Sequence, residues 1–175
     1  MKVPSPTSLE QPEIALSRLL TAAARMTVVT AESCTGGNVA ARISSVPGSS
    51  GYFLGGVVAY HNAVKSRVLR VPSNVLERFG AVSAECARAM ADGARSVFDS
   101  DFAVSTTGVA GPGGGTQRKP VGLVYVGVAC KATTQTVKCQ FEGNRHDIVA
   151  QATERALQEL RKMVEAQFSE SIPVR

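Results

Sequence analysis

The chain has 175 residues and a mass of 18.3 kDa, enough for one domain with a full core. With 44% apolar residues and no charge-free apolar run near ~18 residues, neither a disordered nor a membrane-spanning chain is expected. The net charge of +5 is dispersed, without a Lys/Arg block, and only 5% of residues are aromatic, which points away from nucleic acid and towards an anionic small molecule.

The first residues, 1–11, are polar and contain proline, and they lack the apolar core of a signal peptide. Cys34, Cys86, Cys130 and Cys139 form no CxxC pair, and His61 and His146 are the two histidines, so no zinc site is expected. Free thiols of this kind fit a reducing, cytoplasmic setting.

Residues 8–25 predict a helix, with Ile14, Leu16, Leu19, Leu20 and Ala23 as its apolar stripe and Glu10 and Glu13 near its start. Residues 26–30 predict a buried strand. The segment Ala31-Glu32-Ser33-Cys34-Thr35-Gly36-Gly37 then forms a sharp, glycine-relieved turn into a helix over 38–45. After a loop at 47–51, residues 55–60 predict a second strand. A helix over 62–69 follows, with Asn62 as its N-cap. A short helix from Pro72-Ser73 ends near Gly80, and Ser83 caps a longer one reaching about Phe98. Residues 101–106 predict a third strand, and 108–120 a long Gly/Pro loop. Strands over 122–130 and 134–141, joined at 131–133, form an antiparallel hairpin. A terminal helix over 147–168 precedes a frayed tail, 169–175. This order predicts a three-layer α/β/α sandwich on a mixed, mostly parallel sheet of about five strands, in a single domain with its core at about 9–165.

Several features carry candidate chemistry. Ser33 fits either a helix cap or a nucleophile exposed where a strand ends. It is outside any GxSxG, so a Ser-His-Asp triad is not expected. Cys34 is the rival nucleophile: a thiol at a helix N-terminus can ionise readily, though it can equally point into the core. Lys65 lies just past the second strand. Strand C-termini gather on one edge of such a sheet, which brings Lys65 towards Ser33. A lysine acts as a base only with a lowered pKa, and otherwise Lys65 is a solvated helix residue. Tyr60, at the strand end, either packs or relays a proton.

The loop from Thr106 through Thr107, Gly108, Gly111, Gly113 and Gly114 to Thr116 lets amides approach an anion. It is neither a P-loop nor GxGxxG, because no Gly-Lys-Ser/Thr follows and Thr116 stands where the last glycine belongs. A plain flexible loop is the alternative. Arg145, before the last helix, is either a surface residue or a fork for a phosphate or carboxylate. The amides of Thr35, Gly36 and Gly37 are candidates for an oxyanion hole.

Together these segments resemble the C-terminal domain of the CinA family, whose stand-alone members are nicotinamide-nucleotide amidohydrolases. The matching pieces are Ala31-Glu32-Ser33-Cys34-Thr35-Gly36-Gly37, Gly55-Gly56-Val57-Val58-Ala59-Tyr60 with Lys65, Gly80-Ala81-Val82-Ser83, the run from Thr107 to Gly115, and Lys119-Pro120-Val121-Gly122-Leu123-Val124. They span about 9–162. The resemblance implies hydrolysis of nicotinamide mononucleotide to nicotinate mononucleotide and ammonia, with a serine–lysine mechanism on Ser33 and Lys65. It also implies site roles for Tyr60, Thr107 and Arg145, and a homo-oligomer. No metal or organic cofactor is implied. The chain departs from the family's pattern at His61 and at Asn144, where aspartate is common. Some members carry another N-terminal domain, for which this chain is too short, and some lack the activity. A catalytically silent nucleotide-binding module is therefore the alternative. A phosphoryl-transfer enzyme is a weaker one, since no acid lies between Thr107 and Thr116.

Overall fold

The computed structural model describes residues 10–22 and 26–170. Helix α1 is Pro12–Ala22; strand β1, Val28–Glu32, leads into α2, Asn38–Ser44. A 3-10 turn at Ser49–Gly51 precedes β2, Phe53–Val58. Three helices follow, α3 at Asn62–Arg67, α4 at Ser73–Arg78 and α5 at Ala84–Phe98. The chain closes with β3 at Phe102–Gly108, the hairpin β4 Leu123–Ala129 and β5 Thr134–Gln140, and α6 at Arg145–Glu170. The N- and C-terminal margins of the expected first helix, residues 8–9 and 23–25, and most of the expected tail lie outside the described residues. Ser169 and Glu170 are helical.

The five strands run in the order β2-β1-β3-β4-β5. The sheet is mixed and mostly parallel, as expected: β1 is parallel to β2 and to β3, and β4, antiparallel to both β3 and β5, is the one reversed strand. The four-residue connection 130–133 is too short to cross over between parallel strands, so β4 and β5 pair antiparallel.

Alternation along β1 divides its side chains between two cores. Val28 faces a cluster with Leu16, Leu20, Ile43, Ile148, Leu157 and Leu160, contributed by α1, α2 and α6. Val29 and Ala31 face the other side, against Cys86, Met90, Ala91 and Ala94 of α5. These are the two outer layers. All four cysteines are buried and free. On the first face, Arg42 of α2 joins Glu13 of α1 to Glu154 of α6, tying three helices together. No helix among the described residues is long and apolar enough to cross a membrane.

The connection from β1 to β2 passes over the first face, and that from β2 to β3 over the second. The chain thus leaves β1 and arrives at β3 on opposite faces, and a crevice opens at their C-terminal ends. On the second face α5 comes very close to the segment behind α3. A Cβ placed on Gly93 would stand 1.8 Å from the carbonyl oxygen of Leu69. Glycine is the residue that permits this approach.

Candidate active site

The turn after β1 is built from positive φ and buried charge. Gly36 and Gly37 have φ of 63° and 105°, a region that costs other residues a Cβ clash. Glu32, the last residue of β1, is 1% exposed. Its Oε2 accepts from Thr35 Oγ1 at 2.6 Å, Gly37 N at 3.0 Å and Val39 N at 3.1 Å, and its Oε1 accepts from Ala40 N at 2.8 Å. A carboxylate thereby satisfies the orphan amides of α2 from within the strand end. Thr106 of β3 adds a hydroxyl–hydroxyl bond to Thr35 at 2.7 Å, and its carbonyl accepts from Ser33 N at 2.9 Å. No local sequence pattern marks Glu32 as the acceptor for these amides or Thr106 as the partner of Thr35.

This arrangement changes the expected oxyanion donors. Gly36 N donates to the carbonyl of Ser33, and Gly37 N is engaged by Glu32. Among the described residues, no oxygen acceptor engages the amides of Cys34 and Thr35. Of the three expected donors, Thr35 alone keeps its amide clear of an oxygen acceptor, and Cys34 adds a second.

Lys65 is swung under the same edge by α3. His61, not Asn62, caps this helix: its Nδ1 accepts from Ala63 N at 3.2 Å. An imidazole nitrogen serves as the cap acceptor because His61, in extended conformation, is the residue just outside the first turn. Lys65 is 1% exposed. Its Nζ lies 2.9 Å from Ser33 Oγ, 2.6 Å from the carbonyl of Ala59 and 3.4 Å from that of Tyr60. Loss of hydration on burial holds the amine below its ordinary pKa of 10.5. The solvated-lysine alternative does not hold.

Cys34 is 7% exposed. Burial pushes its thiol up to about 12, so the expected lowering at a helix N-terminus does not occur. The amides that would lower it are already occupied by Glu32, whose charge also opposes a thiolate.

The remaining expected site residues divide by position. Thr107 is buried beside Ser33 and Lys65, but its hydroxyl donates to the carbonyl of Ala81 at 2.7 Å. The Tyr60 hydroxyl accepts from Arg145 Nη2 at 2.8 Å, and Arg145 Nη1 donates to the carbonyl of Gly111 at 2.8 Å. Lys65 is thus oriented by backbone carbonyls and not by either hydroxyl. Gly113 and Gly114 are exposed and line neither cavity of the site. The smaller cavity, about 210 Å³, contains Ser33, Lys65, Thr107 and Asn62. A larger one of about 890 Å³ adjoins it, lined by Thr35, Gly36, Asn38, Pro112 and His146 among others.

A serine hydroxyl on a lysine amine, beside free amides and inside a crevice, can attack a carbonyl carbon. The family model of the CinA C-terminal domain matches residues 10–164. The chain belongs to this family. A CinA-like protein of Endomicrobium trichonymphae is 50% identical over 145 residues, which make up 83% of this chain and 34% of that protein. The chain thus spans about a third of the length of the curated relatives it matches. Among solved structures, the competence/damage inducible protein CihA of Agrobacterium tumefaciens superposes with a TM-score of 0.83 at 34% identity, over 92% of this chain and 99% of that one. A CinA superfamily protein of Klebsiella pneumoniae gives a TM-score of 0.84 at 31% identity, over 89% and 96% of the two chains. The CinA fold thus carries the mixed five-stranded sheet described above.

Proposed function

We propose that this CinA domain hydrolyses the carboxamide of nicotinamide mononucleotide, giving nicotinate mononucleotide and ammonia. The observation that carries this reading is the 2.9 Å contact between Ser33 Oγ and the buried Lys65 Nζ. Neutral Lys65 takes the hydroxyl proton as Ser33 Oγ bonds to the carboxamide carbon. The carbonyl oxygen becomes an oxyanion, for which the Cys34 and Thr35 amides are the available donors, a role typically worth ~3 kcal/mol per donor. Lys65 then gives its proton to the nitrogen, the C–N bond breaks and ammonia departs. Water attacks the resulting ester with Lys65 again as base, releasing the carboxylic acid and restoring Ser33. Thr107 supports the reading as a positioning residue, holding Ala81 on the cavity wall. The pyridinium charge of the substrate further favours the neutral amine of Lys65.

The larger cavity takes the rest of the nucleotide, with Arg145 at its edge as the candidate for the phosphate. The decisive experiment is purified protein with nicotinamide mononucleotide, following ammonia and the acid product. Binding without ammonia release is the outcome of the silent-module alternative.

A further inference from the structure

Asn62 lies beside the reacting pair with its own bonding capacity unspent. The sequence predicts it as the cap of α3, but His61 takes that role. The Asn62 side chain makes no hydrogen bond among the described residues. Asn62 opens α3, and Lys65 follows three residues later. Residues three apart share one face of a helix, and helical side chains lean towards its N-terminus, so Lys65 leans over the turn that Asn62 begins. Both residues line the crevice around Ser33 and Thr107.

The other polar side chains there are donors only or are already engaged. Lys65 Nζ contacts Ser33 Oγ and the carbonyls of Ala59 and Tyr60. Thr107 donates to the Ala81 carbonyl, and the Tyr60 hydroxyl accepts from Arg145. Asn62 Oδ1 is the side-chain carbonyl oxygen of the group. A primary carboxamide presents one oxygen and two N–H donors. The Cys34 and Thr35 amides are the donors available to its oxygen. Its nitrogen must come within reach of Lys65 Nζ, which protonates it, and so lies on the α3 side of Ser33, where Asn62 stands.

We propose that Asn62 is a specificity-determining residue, whose Oδ1 accepts an N–H of the scissile carboxamide and selects amides over esters. The alkoxy oxygen of an ester has no proton to offer this acceptor, and a site built to bond an N–H discriminates against analogues that lack it. No proton moves through Asn62; Lys65 supplies the one that leaves with ammonia. The inference rests on the amidohydrolase reading for its substrate.

The test pairs nicotinamide mononucleotide with the methyl ester of nicotinate mononucleotide. Ser33 attacks both and Lys65 serves both, so the ratio of their kcat/KM values cancels any change in nucleophile or base. Asn62→Ala places a strong helix former at an exposed position, so the fold persists. It should lower kcat/KM about tenfold on the amide and leave the ester within about twofold, as loss of one ordinary hydrogen bond predicts. Asn62→Asp keeps an acceptor oxygen and should keep the native ratio, although its charge raises the pKa of Lys65 and slows both substrates. An equal fall on both substrates in Asn62→Ala, or no fall on either, overturns the proposal. A binding arm separates it from the reading beneath it. In a Ser33→Ala chain, adding Asn62→Ala should weaken the amide nucleotide about tenfold by calorimetry and leave the ester nucleotide little changed, by the same single bond. If the native chain releases no ammonia while this difference in binding holds, the amidohydrolase reading fails and recognition of the carboxamide by Asn62 stands. If ammonia is released and neither ratio moves, Asn62 alone is refuted.

Discussion

Glu32 reaches Ala40, eight residues further along the chain, and accepts its amide proton at 2.8 Å from inside the fold. The nucleophile turn is therefore wrapped around a buried carboxylate. Glu32→Ala leaves the amides of Gly37, Val39 and Ala40 and the Thr35 hydroxyl without their acceptor. The expected loss is about 3 kcal/mol or more, since each buried unsatisfied donor costs on the order of 1–3 kcal/mol. Urea denaturation measures it, and a loss below 1 kcal/mol removes Glu32 from its structural role. Glu32→Gln should also destabilise, because its amide group points N–H at N–H on one side.

Ser33 and Cys34 are adjacent, yet only one should matter to chemistry. Ser33→Ala should reduce turnover by several decades while the fold and nucleotide affinity persist. Cys34→Ala should retain most activity, because a thiol pushed up to about 12 carries little thiolate at neutral pH. Steady-state kinetics of the two variants decide the assignment; the reverse pattern makes Cys34 the nucleophile.

Lys65 predicts two pH effects that run in the same direction. Turnover should rise with pH as the amine loses its proton, along a limb lying below the ordinary value of 10.5. Lys65→Arg should be nearly as inactive as Lys65→Ala, since guanidinium keeps its proton at any working pH. An active Lys65→Arg chain with an unchanged profile makes Lys65 an anchor and not a base. Stability follows the same shift. Between the lowered folded value and 10.5, the unfolded chain binds more protons than the folded one. This group's contribution therefore strengthens the fold as pH rises through that window and weakens it as pH falls. Lys65→Met should flatten that dependence in a series of unfolding curves.

Gly93 tests the packing behind the base. In an ordinary helix Gly→Ala stabilises by about 1 kcal/mol. Here the new Cβ meets the Leu69 carbonyl at 1.8 Å, and backbone must move. Gly93→Ala should instead destabilise by about 1–3 kcal/mol, as overpacking does. The displaced segment follows α3, so kcat should fall more than nucleotide affinity. A stabilised, fully active Gly93→Ala chain contradicts the close approach.

The sequence made some of this site legible and hid the rest for physical reasons. The β-branched run before Ala31 and the paired glycines after Thr35 locate a strand-to-helix turn, because few other residues tolerate φ of 63° and 105°. Strand order at one sheet edge then brings Lys65 near Ser33. Glu32 escaped notice because it precedes the helix by six positions, outside the spacing at which caps are sought, and its bonds depend on how the turn folds back. The hydroxyl partners of Tyr60 and Thr107 involve residues 85 and 26 positions away, and no local pattern encodes such pairs. The expected first strand began two residues early and stopped short of Glu32, since period alone cannot fix where pairing with β3 starts.

The hairpin of the one reversed strand, β4, with β5 also separates two ends of the molecule. The C-termini of β1, β2 and β3, together with the start of β4, form the edge that carries Ser33 and Lys65. The turn at 131–133 closes the opposite edge, where Ala129 pairs with Thr134. It is exposed, and its main tie is the Cys130 amide on the Thr133 carbonyl at 2.9 Å. A fluorophore, an affinity handle or a tether to a surface can be attached there at full remove from the crevice, which makes this turn the natural place to immobilise or label the domain for kinetic work.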